Sequence, residues 1–197
     1  MAVSKGRIIG GPDRIADRWS FMDIFSHTLW GYGLFGRQKP WLAMAFGAMP
    51  DMVSFGAFAL IRLLNGQQVA GKPPLEIIPA WCFLFYDVSH SLLIAVIVLL
   101  LVFWKNRILA FAMLAWPFHI LLDIPFHTRH YFPTKFFYPF SDYSFDGIAW
   151  SSPEIWLPNI AGVILIVVYR LQSRAREKIL IDEDQDNNNR LISKNIF

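Results

Sequence analysis

The chain has 197 residues, 55% of them apolar and 16% aromatic, with a mean hydropathy of +0.38 and a net charge of +3 at pH 7. These values exclude disordered, collagen-like and coiled-coil classes, and the weak positive charge gives no ground for expecting nucleic-acid binding. The single cysteine, Cys82, excludes an intramolecular disulfide, a zinc ribbon and a CxxC redox motif, so the composition points to an integral membrane protein held together by packing.

Residues 1–20 carry Lys5, Arg7, Asp13, Arg14, Asp17 and Arg18 with no apolar core between them, which does not read as a cleaved signal. Residues 21–36 follow as an apolar segment of marginal length, where Gly31, Gly33 and Gly36 suit close helix packing. Four longer apolar runs cover residues 41–64, 77–104, 108–125 and 155–171, each near the ~20 residues that cross a bilayer. The predicted fold is therefore all-α, a polytopic membrane helical bundle of four to five helices forming one domain over residues 1–180. Residues 181–197 read as a flexible polar tail.

Charge bias bears on whether residues 21–36 cross. With four spans, one side holds Lys5, Arg7, Arg14, Arg18, Arg37, Lys39, Lys105, Arg107, Arg170, Arg174, Arg176 and Lys178, against Arg62, Lys72, Arg129 and Lys135 opposite. That twelve-to-four division places both termini in the cytoplasm, whereas five spans divide the same residues eight to eight. The bias favours a first helix that lies in the interface or dips into the bundle. Residues 126–154 carry ten aromatic side chains with Pro133, Pro139 and Pro153, which suits a segment packed at the headgroup level or folded back as a lid.

Ionisable groups inside apolar runs are costly and mark a partner or a task. Asp51 follows Pro50 in the middle of the first long run, where the proline bends the helix toward a polar cavity. Asp87 and His90 are three residues apart, and Asp87 is placed to orient His90. His119 and Asp123 are one turn apart on an apolar helix, offering a nitrogen and a carboxylate oxygen to one point, with His127 a further turn on if the helix continues through Pro125. Asp23 and His27 repeat the four-residue spacing, Asp23 reading better as a first-turn acid than as a ligand. Arg129 and Asp146 are read as loop residues able to close over a site. Each has a plainer reading as a buried hydrogen-bonded side chain, but four apolar segments each presenting a His or Asp point to one enclosed polar site.

The order His27, Met49-Pro50-Asp51, Ser89-His90-Ser91-Leu92-Leu93, His119-Ile120-Leu121-Leu122-Asp123 and Tyr138-Pro139-Phe140-Ser141-Asp142 resembles the YdjM-like inner-membrane metal-dependent hydrolases, over residues 21–150. That family is grouped by helix arrangement and ligand order with zinc-dependent phospholipase C and the zinc single-strand nucleases. The resemblance implies that His27, Asp51, His90, His119 and Asp123 are metal ligands, with His127 a further one, and that the protein lies in a bacterial inner membrane. This chain departs from many relatives at Val53, where they carry a second acid, and at Phe85-Tyr86, where they carry His-Arg.

The expected function is metal-dependent hydrolysis of an ester or phosphoester, with a membrane lipid or small molecule as substrate and a divalent metal, zinc, as cofactor. Asp51 is the expected catalytic base, and Asp87, Arg129 and Asp146 are expected to support the site or the substrate. A transporter or proton relay using the same His/Asp cluster is the first alternative. A haem protein with His90 and His119 as axial ligands, and a metal that only braces the fold, are the others.

Overall fold

The computed structural model describes residues 20–69, 72–150 and 152–194, with the side chains of 20–23 and 187–194 outside that description. Asp23 and the charged residues before Ser20 thus lie outside the described side chains. Among the described residues the fold is all-helical and contains no strand. Its helices are α1 (Ser20–Phe35), α2 (Pro40–Asp51), α3 (Ala57–Leu64), α4 (Ala80–Ser89), α5 (Leu92–Lys105), α6 (Arg107–Met113), α7 (Ala115–Phe126) and α8 (Pro153–Lys194). A π-helical turn, Met52–Gly56, joins α2 to α3.

Among the described residues, three stretches are long and apolar enough to cross a bilayer: Pro40–Leu64, Arg107–Phe126 and Pro153–Asp186. The α4–α5 pair is a fourth if its two halves, bent by 54°, count as one span. These lengths fit a membrane protein.

Helix α1 packs along α2 and touches α7 and α8. Two glycines permit this approach. A Cβ on Gly31 would lie 2.5 Å from the carbonyl oxygen of Ala43, and one on Gly47 would lie 2.5 Å from that of His27. The two pairs fix an antiparallel register, in which α1 begins roughly level with Ser54, inside the Pro40–Leu64 rod. Helix α1 thus runs beside the rod without matching its length.

The run expected as one continuous helix over residues 77–104 is broken. Helix α4 ends at Ser89, His90 takes φ −99° and ψ 13°, and Ser91 begins α5 as its N-cap, its Oγ accepting the Ile94 N–H at 3.2 Å. The first N–H groups of α5 find partners outside the helix, since those of Leu92 and Leu93 donate to the Phe136 carbonyl at 3.0 and 3.4 Å. Ser91 Oγ donates to the Tyr138 carbonyl at 2.7 Å. The aromatic segment between α7 and α8 therefore enters the break and completes the start of α5.

One apolar cluster, formed by Phe58, Ile78, Cys82, Tyr86 and Phe132, joins α3 and α4 to that segment. A second, formed by Ala95, Met113, Trp116 and Ile120, holds α5 against α6 and α7. The stretch expected as a flexible polar tail continues α8 as helix to Lys194, with residues 181–186 exposed.

Candidate metal centre

Asp51 closes α2 directly after Pro50, and the widened π-turn begins at the next residue. A proline inside a helix has no N–H to donate, and π-turns of this kind recur where a helix must re-aim a side chain. The Pro50 carbonyl accepts from Ser54 Oγ and from Ser89 Oγ, both at 3.0 Å, so the kink is tied to the end of α4. The α4–α5 break then presents His90, while α7 presents His119 and Asp123 from successive turns. Trp116, one turn before His119, donates from Nε1 to the Ser89 carbonyl at 2.7 Å and locks α7 to that break.

Hydrogen bonds determine which imidazole nitrogen carries the proton. His119 Nδ1 lies 2.7 Å from the Gly47 carbonyl oxygen, an acceptor only, so Nδ1 donates and, in the neutral ring, Nε2 keeps a lone pair. His90 Nδ1 lies 3.1 Å from both the Tyr86 carbonyl and Ser89 Oγ. With the Ser89 hydroxyl donating to Pro50, that nitrogen is again the donor and Nε2 again faces inward.

The two Nε2 atoms and one oxygen each from Asp51 and Asp123 converge, every pair lying within 4.8 Å. The separations are 3.2 Å for His90–His119, 3.4 Å for His90–Asp51, 3.3 Å for His90–Asp123, 3.1 Å for His119–Asp123 and 3.9 Å for His119–Asp51. Ligand atoms at ~2.0–2.2 Å from a tetrahedral zinc stand roughly 3.3–3.6 Å apart, so these four fit such an ion with small adjustments. The residues are buried; Asp51 Oδ2 has no hydrogen-bond partner among the described residues, and the oxygens of Asp123 face imidazole nitrogens. Two buried carboxylates facing two imidazole nitrogens need a divalent cation, or protons shared between them, to hold them together.

His27 stands one step back. Its Nε2 is 3.0 Å from Asp123 Oδ1, and its ring lies 3.8 Å, centroid to centroid, from that of His119. His127 lies just past the end of α7, which continues through Pro125; its Nδ1 is 3.7 Å from the same oxygen and 3.3 Å from the Asp123 carbonyl. Thus Asp123 turns Oδ2 to His90 and His119, and Oδ1 to His27 and His127.

Three expected supporting residues lie elsewhere. Asp87 pairs with Lys135 rather than with His90, its carboxylate accepting from Lys135 Nζ at 3.0 Å. Arg129 does not reach toward the cluster. Its Nε and Nη2 donate to the Ser144 carbonyl at 3.1 and 2.9 Å, and its backbone N–H donates to Asp146 Oδ1 at 2.8 Å. Arg129 and Asp146 hold the loop to itself. Val53, where relatives of the resembled family carry an acid, is exposed on the outer side of the π-turn.

Several residues of the site were not singled out from the sequence. Gly47 combines the close approach of α1 with the carbonyl that orients His119. Tyr86 stacks on His90 at 3.8 Å and 21°, and Trp150 meets His27 edge-on at 5.5 Å. A tyrosine one turn before a histidine was the available signal for the first; Trp150 stands out in the sequence only as one of the aromatics of residues 126–154, with nothing to tie it to His27. No family model, curated protein or solved structure matches the chain.

Proposed function

We propose that this chain is a membrane-embedded, metal-dependent hydrolase acting on an ester or phosphoester, with a lipid substrate the best fit to its setting. The observation that carries the reading is the convergence of four buried donor atoms from Asp51, His90, His119 and Asp123 at spacings suited to one small divalent ion. His27 would steady Asp123 through Oδ1 and could join the ligand set with His127. The resemblance to the YdjM-like hydrolases agrees with this set. When bound, zinc would supply Lewis acidity and a water whose pKa falls from ~15.7 to about 7.

The chain's own residues have separable tasks in this reading. Gly47 and Tyr86, through their carbonyls, hold the two imidazoles with Nε2 inward. Asp51 is the most exposed of the four, and its Oδ2 has no hydrogen-bond partner among the described residues, so it is the group suited to take a proton from an attacking water. Trp150 and Phe126, whose rings pack at 4.7 Å, wall the His27 side and exclude water there. The segment over residues 126–154 gates access from the headgroup level, within a bundle of four to five helices whose basic end faces the cytoplasm.

Metal content of the detergent-purified protein tests the reading, comparing wild type with His119→Ala and Asp123→Ala. Near-stoichiometric zinc that falls in both variants supports it. Absence of metal from well-folded, metal-replete wild type overturns it. One observation favours a second reading: the 3.2 Å approach of His90 Nε2 to His119 Nε2 also suits a shared proton, which would make the cluster a relay in a transporter.

A further inference from the structure

The end of the molecule away from the His/Asp cluster carries a second feature, a groove of about 290 Å³ lined by Arg37, Gln38, Arg107, Ile108 and Phe111. Its walls come from the α1–α2 connection and the first turns of α6. Arg107 lies 16 residues before Asp123 along the Arg107–Phe126 stretch, about 24 Å at 1.5 Å per residue, so the groove is separate from the candidate metal centre.

Its composition is layered. Two guanidinium groups and an amide lie beside two half-exposed apolar side chains, Ile108 and Phe111, from the first turns of α6. Arg107 is braced over the Phe103 ring at 5.3 Å, while Arg37 contacts Glu177 of α8 at 3.3 Å with most of its side chain exposed. That single acid leaves a surplus of positive charge. Arg174 sits over the Tyr32 ring at 5.7 Å, and the Arg170 side chain donates to the Gly33 and Leu34 carbonyls at the end of α1, adding to the same end.

The level of the groove in a bilayer follows from its flanks. Trp41 and Trp104 are 78% and 87% exposed, each one or two residues from a lysine, Lys39 and Lys105. Exposed tryptophans beside lysines mark the boundary between headgroups and acyl chains. Cations at that boundary with apolar side chains just below them match an amphiphile bearing a negative headgroup.

We propose that the Arg37–Arg107 groove binds the phosphate headgroup of an anionic phospholipid, with Ile108 and Phe111 against the start of its acyl chains. The guanidinium pair recognises the phosphate oxygens, and Gln38 offers its amide to a neighbouring headgroup oxygen. The site is regulatory or structural and independent of the hydrolase reading, since it shares no residue with the cluster.

Retention of lipid by the full chain in native mass spectrometry tests the proposal, with phosphatidylglycerol and phosphatidylcholine supplied in parallel. Wild type should retain phosphatidylglycerol preferentially, and the Arg37→Gln/Arg107→Gln double variant should lose about tenfold or more of that preference. Arg62→Gln, at the far end of the Pro40–Leu64 rod, should leave it unchanged. Equal retention of both lipids by wild type, or an undiminished preference in the folded double variant, overturns the proposal. Inorganic phosphate distinguishes a lipid site from one for a soluble anion: displacement of the lipid by millimolar phosphate overturns the lipid assignment. If the double variant does not fold, photoactivatable phosphatidylglycerol added to wild type decides instead. Crosslinks in the peptides containing Arg37 or Ile108–Phe111 support the groove, and crosslinks confined to other peptides overturn it.

Discussion

His119 and Gly47 are joined across the α7–α2 contact by a 2.7 Å hydrogen bond from Nδ1 to the glycine carbonyl. The same glycine admits the backbone of His27, so one residue without a side chain both orients an imidazole and seats the helix behind it. Orientation of the ring and packing of three helices therefore depend on a single backbone position.

Gly47→Ala is the direct probe of that coupling. The added methyl would meet the His27 carbonyl at 2.5 Å, backbone that cannot swing aside, and overpacking of this kind costs about 1–3 kcal/mol. Thermal unfolding in detergent should show a lowered midpoint, and zinc content should fall with it as the Gly47 carbonyl moves. Unchanged stability would mean that α1 is not seated as described.

Asp51 and Asp87 should behave oppositely although both are acids in apolar runs. Asp51→Asn should reduce bound zinc at least tenfold, because it removes an anionic donor from the cluster. Asp87→Asn should leave zinc within twofold of wild type, since Asp87 contacts Lys135 instead. Equal loss in both variants, measured by elemental analysis, would contradict the separation of the two sites.

Lys135 ties the segment after α7 to α4, with Nζ 3.0 Å from Asp87 and 3.2 Å from Asp142. Burial alone would lower its pKa, but the hydrogen bonds to Asp87 and Asp142 and their charges outweigh that and hold it above the ordinary lysine value. A raised folded-state pKa means the clamp contributes fully below the unfolded value of about 10.4 and is lost only as pH rises through the folded one. Hydrogen exchange of residues 136–142 should therefore show no clamp-related loosening across neutral pH, while Lys135→Met should speed exchange there at pH 7. The partial exposure of the pair limits the effect on global stability to about 1 kcal/mol or less.

Membrane orientation is open to cysteine labelling in a Cys82→Ala background. Gln67→Cys, in the connection after α3, should react with an impermeant reagent added outside cells, and Lys105→Cys should react only after permeabilisation. The reverse pattern would invert the proposed topology.

The acids and histidines that form the cluster were visible in the sequence because ionisable side chains stand out against apolar runs, and the i, i+4 spacing of His119 and Asp123 survives in α7. The break at His90 was concealed by the apolar content on both sides of it, which overrode the local signal of Ser91 before Leu92 as a helix start. Asp87 stood out as an acid in an apolar run, but its partner Lys135 lies 48 residues further on, where spacing cannot reveal it. Gly47 acts through its carbonyl and its missing side chain, neither of which spacing can reveal. The helical continuation of α8 over residues 181–186 is exposed and lacks an apolar stripe, and hydropathy is silent about such a helix.

The break between α4 and α5 has a consequence for biogenesis. With 10 and 14 residues, α4 and α5 are each too short to cross a bilayer alone, and the carbonyls that complete the start of α5 belong to Phe136 and Tyr138, synthesised only after α6 and α7. While the ribosome is still making those helices, the N–H groups at Leu92 and Leu93 lack their final acceptors, a costly condition in hydrocarbon. The bonds that complete the start of α5 can therefore form only once residues 136–138 have been made and have reached the break.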